Sequence, residues 1–140
     1  MAMPEGCLFC GIVTGAVPAM VVLDEEHVVA FLDVRPVFKG HVLVVPRAHH
    51  VTLPDLPVAL LEPLLVATQR VARAVVDGLG AQGSFVAMNN VVSQSVPHLH
   101  VHVVPRTKGD GLRGFFWPRQ KYDDDTERDA FGARIRDALV

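Results

Sequence analysis

The sequence predicts an α+β fold, and three observations carry that prediction. Short runs of β-branched and apolar residues come in two groups, separated by one long stretch whose apolar residues recur every three or four positions. Glycine, proline and acidic residues punctuate the runs, as turns require. Strands, then a helix, then strands is the order of a fold with segregated elements, not of alternating parallel units.

Each element can be justified in chain order. Leu8, Phe9, Ile12 and Val13 lie at helical spacing, so residues 7–14 predict a short helix stopped by Gly15, and Pro18 breaks the chain after it. Residues 21–23, 28–33 and 41–45 are strand-like runs parted by acids, Pro36 and Gly40, which predicts an antiparallel meander. From residue 55 to 77, Leu61, Leu64, Leu65, Val71, Ala72, Val75 and Leu79 mark one helical face. Asp55 is its candidate cap, Gly78 and Gly80 its stop, and Pro63 either kinks it or sets its true start. Residues 84–89 and 98–104 bring the strands to about five. Residues 126–139 predict a C-terminal helix, with acids at its start and Phe131, Ile135 and Leu139 aligned. The stretch 107–121, with Phe115, Phe116 and Trp117, reads as a loop able to cover a site or a partner.

At 140 residues the chain has the size of a single domain. With 13 basic against 15 acidic residues it lacks the charge excess that draws proteins to nucleic acid or membranes, so neither partner is expected and any phosphate site must be local. No apolar run approaches 18 residues and the N-terminus lacks a signal-peptide pattern, which predicts a cytoplasmic protein. In reducing cytosol the pair Cys7 and Cys10 points to metal or redox chemistry, or to two buried thiols on a short helix. A zinc ion would need two further ligands, for which His27, His41, His49, His50 and the residue 98–102 histidines are candidates.

Those last histidines, in His98-Leu99-His100-Val101-His102-Val103-Val104, are the densest chemical signal in the chain. Alternation in a strand would put the three imidazoles on one face and the apolar residues on the other. Imidazole titrates near neutral pH, attacks electrophiles and binds metals. The first and third rings would be about 13 Å apart along a strand, too far for one zinc to take all three.

This motif resembles the histidine-triad signature, and so do the segments around it. Cys7-Leu8-Phe9-Cys10-Gly11-Ile12-Val13, Phe31-Leu32-Asp33, Lys39-Gly40-His41-Val42-Leu43-Val44-Val45-Pro46 and Gln94-Ser95-Val96 are similar, in order and spacing, to segments of histidine-triad nucleotide-binding proteins. The resemblance covers residues 7 to about 106, leaving 107–140 as loop and helix of one domain spanning 1–140. It departs from the family at Asn90-Val91-Val92-Ser93, which is shorter than usual and lacks a glycine before Gln94, and at Pro97.

The resemblance implies a five-stranded antiparallel sheet, a homodimer, and cleavage at the α-phosphate of purine nucleotides through a nucleotidyl-histidine. By position His100 is the nucleophile, with its second ring nitrogen held by the carbonyl of His98; His102 contacts phosphate or the leaving atom, and His41 buttresses them. Asp33 would take the ribose hydroxyls, Phe9, Ile12, Phe31, Leu32 and Val34 would wall the base, and Asn89, Gln94, Ser95 and Val96 would line the phosphate region. A structural zinc would sit on Cys7, Cys10, His49 and His98, with His50 as the neighbouring competitor, and no metal is implied at the reaction centre. Phosphoramidates, dinucleoside polyphosphates and nucleotidyl sulfates or fluorides all fit as substrates; Ser95 resembles the phosphoramidase branch and residues 105–110 the dinucleotide-cleaving one. A non-catalytic nucleotide- or partner-binding module is the other reading.

Overall fold

The structure, a computed structural model, describes residues 4–112 and 118–140. Phe115, Phe116 and Trp117 lie outside the described residues. The described residues group into two compact units, divided between Asp110 and Gly111. No helix among the described residues is long and apolar enough to cross a membrane.

The first unit is built on a five-stranded antiparallel sheet in the order β1-β2-β3-β5-β4, with β1 at Val21–Asp24, β2 at Val28–Leu32, β3 at Val42–Pro46, β4 at Gly83–Ala87 and β5 at Val101–Arg106. Alternation divides it cleanly. Val28, Ala30, Val42, Val44, Val101 and Val103 pack on one side against Leu64, Ala67, Val71 and Val75 of α2, Val58–Leu79. Val29, Phe31, Leu43 and Val45 pack on the other side with Phe9 and Ile12 of α1, Leu8–Thr14. The register sets Leu43 opposite both Phe31 and His102, so these three form a row across β2, β3 and β5 on the α1 side. One sheet face is therefore packed against the long helix, and the other, on the α1 side, carries His102.

Local chemistry explains where the elements end. Cys7 caps α1 by accepting the Cys10 amide on its sulfur, and Gly15 closes the helix at φ 82°, a left-handed conformation that glycine adopts freely. Asp55 caps no long helix: it closes a 3-10 turn, Leu53–Asp55, by accepting from the amide and hydroxyl of Thr52, and α2 starts only at Val58. That helix runs through Pro63. Its buried stripe includes Ala67 and Thr68, while Leu65 and Leu79 of the predicted face stay exposed; Thr68 is tolerated inside because its hydroxyl donates to the Leu64 carbonyl.

The predicted strand 98–104 is corrected at its start, because β5 begins at Val101. Pro97 has no amide hydrogen, the His98 amide turns back to the Val96 carbonyl, and the Leu99 amide goes to the carbonyl of His50. His98 and His100 therefore lie on an extended lead-in held by the segment after β3, and only His102 is in the sheet.

In the second unit, α3 spans Asp125–Ala138, with Asp124 accepting the Glu127 amide as its cap and Phe131 and Ile135 exposed.

Candidate functional site

The site is built from β3, β5 and the segments leading into and out of them. His98 is fully buried, and its Nε2–H donates to the carbonyl of Pro46 at 2.8 Å. A carbonyl only accepts, so the proton must be on Nε2 and the Nδ1 lone pair is free. That lone pair faces two sulfurs, Cys7 Sγ at 3.6 Å and Cys10 Sγ at 3.5 Å, and His49 Nδ1 stands 3.3 Å from Cys10 Sγ. All four ligand atoms lie within 4.8 Å of one another.

This set fits zinc. Bonds of about 2.3 Å to sulfur and 2.0 to 2.1 Å to nitrogen at tetrahedral angles put sulfur and nitrogen about 3.5 Å apart, the spacing found here. The Pro46 carbonyl fixes the tautomer that such a ligand needs. Burial, with Cys7 beside it, pushes the Cys10 thiol up to about 11, so Cys10 would become a thiolate at neutral pH only with a bound cation to stabilise it. Burial holds His98 at about 4, neutral at physiological pH. Of the two adjacent candidates it is His49 that joins the group, while His50 contributes its main-chain carbonyl to Leu99.

His100 is also buried, packed edge-on against the ring of Phe9 at 5.0 Å between centroids. Its Nδ1–H donates to the carbonyl of His98 at 2.7 Å, which in the neutral ring puts the lone pair on Nε2. His102 lies beyond it, its Nδ1 3.0 Å from Nε2 of the buried His41. The amide of Val37 donates to His41 Nδ1 at 3.1 Å, with an Asp33 carboxylate oxygen 3.7 Å from the same atom. Burial lowers the pKa of His41 and takes that of His102 to about 4, with His100 and His41 adding to the effect on His102. Asp33, His41 and His102 are close enough to share an ion, but both ring nitrogens of His41 are already engaged in hydrogen bonds.

A cavity of about 210 Å³ opens beside this pair and is lined by His100, His102, Asp33, Ser95 and Val96, with Phe9, Ile12, Phe31, Leu32 and Val34 as apolar wall. All of these were singled out from sequence, but four other candidates for this site are absent from the lining: His41 and His98, described above, and two loop residues. Asn89 and Gln94 do not line it: the Asn89 amide donates to the Ser93 carbonyl, and Gln94 accepts from Val91 and donates to the Val51 carbonyl. Both brace the short loop. Sequence reasoning missed Leu8, Val17, Pro18, Ala19, Arg35 and Leu43, which complete the lining. The register gives Leu43 its place, and an Asp33 carboxylate accepting the Arg35 amide at 2.9 Å turns the chain at the cavity. A larger groove of about 490 Å³ lies between α2 and the first three strands; no histidine lines it, and its wall comes mainly from α2, with Val22, Leu23, Leu32 and Val42 of the sheet opposite.

The fold and this arrangement define a class, and comparison with known proteins agrees. The chain matches the HIT domain family over residues 14–109 and belongs to that family. It is 40% identical over 116 residues to the protein hit of Bacillus subtilis, covering 81% of this chain and 79% of that one. It is 31% identical over 121 residues to an adenosine 5′-monophosphoramidase of Saccharomyces cerevisiae, covering 85% of this chain and 74% of the relative. Among solved structures, a zinc-bound histidine triad family protein of Mycobacterium smegmatis superposes with a TM-score of 0.73 at 37% identity, over 96% of this chain and 98% of that one.

Proposed function

We propose that this chain binds a purine nucleotide derivative and hydrolyses a bond at its α-phosphate through a nucleotidyl-His100 intermediate. The observation that carries this reading is the hydrogen bond that spends the Nδ1–H of His100 on the His98 carbonyl while the residue lines the cavity, so that in the neutral ring the lone pair is on Nε2. Nε2 attacks phosphorus, the bond to the leaving group breaks and the leaving group takes its electron pair. Water then attacks the same phosphorus, the electron pair of the P–N bond returns to Nε2, and a proton leaves with the nucleotide product in solution. His102 and Ser95 line the same cavity and act in this reading as donors to phosphoryl oxygens, since positioned donors supply much of phosphoryl-transfer catalysis. Asp33 holds the ribose, and the apolar wall with Phe9 and Phe31 holds the base. The phosphoramidase activity of the yeast relative supports this chemistry for the family.

Zinc on Cys7, Cys10, His49 and His98 would tie α1 to the lead-in of β5 and supply structure alone. We further place the protein in the cytoplasm, where the thiols stay reduced, and as a homodimer, as the family resemblance implies. The use of the Asn89 amide on the Ser93 carbonyl and of the Gln94 amide on the Val51 carbonyl supports the second reading, a nucleotide-binding module without turnover. A steady-state assay decides between the two, offering an adenosine phosphoramidate, an adenylyl sulfate and a dinucleoside polyphosphate to wild type and His100→Asn. Turnover of at least one substrate, lost in the variant, supports the enzyme; nucleotide binding with no turnover of any supports the module.

A further inference from the structure

We infer that the main-chain amide of Val37 locks His41 and His102 into one neutral tautomeric pair, so that His102 gives phosphoryl oxygens a hydrogen bond and gives the leaving group no proton. The chemical half of this inference rests on the phosphoryl-transfer reading above; the tautomeric half rests on geometry alone.

An amide N–H can only donate, so at 3.1 Å it requires a lone pair on His41 Nδ1. The ring proton of His41 is then on Nε2 and is donated across 3.0 Å to Nδ1 of His102. His102 in turn carries its proton on Nε2. The direction of the whole chain follows from one backbone group.

For His102 to give its proton away it would have to recover one from His41, leaving His41 an anionic ring. Loading the pair with an extra proton fails as well, because that proton would have to go on His41 Nδ1, against the Val37 N–H. The groups facing the pair are Asp33, 3.7 Å from that nitrogen, and His100. Asp33 favours a proton on His41, but it is beyond hydrogen-bond length, and burial outweighs it. His102 is thus a hydrogen-bond donor held in place, and His41 and Val37 are positioning residues.

The bond between phosphorus and the leaving atom must then break with the leaving group taking the electron pair unaided. This selects groups that depart as stable anions, such as phosphate or sulfate in a mixed anhydride, or an amine that brings its own proton from solution.

Two measurements on the full chain test this. Nitrogen-15 spectra of the ligand-free protein at neutral pH should show His41 and His102 both protonated on Nε2 and bare on Nδ1; a proton on His102 Nδ1 overturns the lock. Hydrolysis of adenosine 5′-aryl phosphates with progressively poorer phenol leaving groups should slow steeply in wild type and as steeply in Val37→Ala, which keeps the amide. Val37→Pro, which lacks it, should flatten that dependence, favouring the poorest leaving group by about a hundredfold or more relative to wild type, the low end of what a general acid supplies. A wild-type dependence as shallow as that of Val37→Pro overturns the assignment, and if the proline variant does not fold, the spectra decide. Absence of turnover with every ester overturns the phosphoryl-transfer reading and the chemical half with it, while the spectra still test the tautomers.

Discussion

The carbonyl of His98 accepts the Nδ1–H of His100 at 2.7 Å, while the imidazole of His98 faces the sulfurs of Cys7 and Cys10. One residue thus serves two sites, orienting the neighbouring histidine with its main chain and closing a metal-competent group with its side chain. The expected consequence is coupling. Wild-type protein should carry one zinc per chain after gel filtration; Cys7→Ser, Cys10→Ser and His49→Ala should carry far less, with a lower Tm, and His50→Ala should keep its metal. In the depleted variants kcat should fall as well, because His98 is no longer held on both sides. Metal analysis alongside kinetics checks both.

Stability should depend on acid in a defined window. His102 is held at about 4 against 6.5 for the free side chain, first by burial and then by His100 and His41, and His41 is lowered too. Above pH 6.5 these rings are neutral in both states and their contribution is fully present. As the pH falls below 6.5 the unfolded chain takes up protons that the folded chain refuses, so stability declines down to about pH 4 and levels off below it for this group. Urea midpoints across that range should fall with acid, and less steeply in His102→Gln.

The short loop stores strain that glycine would release. Val91 sits at φ 70° and Ser93 at φ 61°, a left-handed region that a β-branched residue rarely enters. The Val91 side chain is 75% exposed, so little burial is lost by removing it. The strain relieved is about 1 to 2 kcal/mol and the added entropy of glycine takes back about 0.5 to 1 kcal/mol. Val91→Gly should stabilise the protein by roughly 0.5 to 1 kcal/mol by chemical denaturation.

Much of this was legible in the sequence, and for physical reasons. Short continuous runs of β-branched and apolar residues, parted by acids, Pro36 and Gly40, located β2 and β3, and the spacing of Leu64, Val71 and Val75 located α2. What could not be read was set by partners distant in the chain. The start of β5 depends on where the Leu99 amide finds an acceptor, which is His50, and the start of α2 on Asp55 turning back to Thr52. The roles of Asn89 and Gln94 as loop braces, and the place of Leu43 in the cavity wall, follow from loop conformation and strand register. The choice of His49 over His50 came from the family resemblance and has its geometric reason in the approach to Cys10.

If Asp33 holds the ribose, it should matter most for substrates that have both hydroxyls. Asp33→Asn should raise KM for a ribonucleotide substrate by about tenfold, the worth of one hydrogen bond to a charged group, and by much less for its 2′-deoxy analogue. Equal effects on the two would place Asp33 elsewhere in the reaction.

The most direct test of the account is whether phosphorus becomes attached to His100. Enzyme quenched in alkaline denaturant during turnover of an adenosine 5′-phosphoroimidazolide, and kept from acid during digestion, should show, by peptide mass spectrometry, one adenylyl group on His100, absent from His100→Asn. Turnover with no adduct at any time point, or an adduct on a different residue, would contradict it.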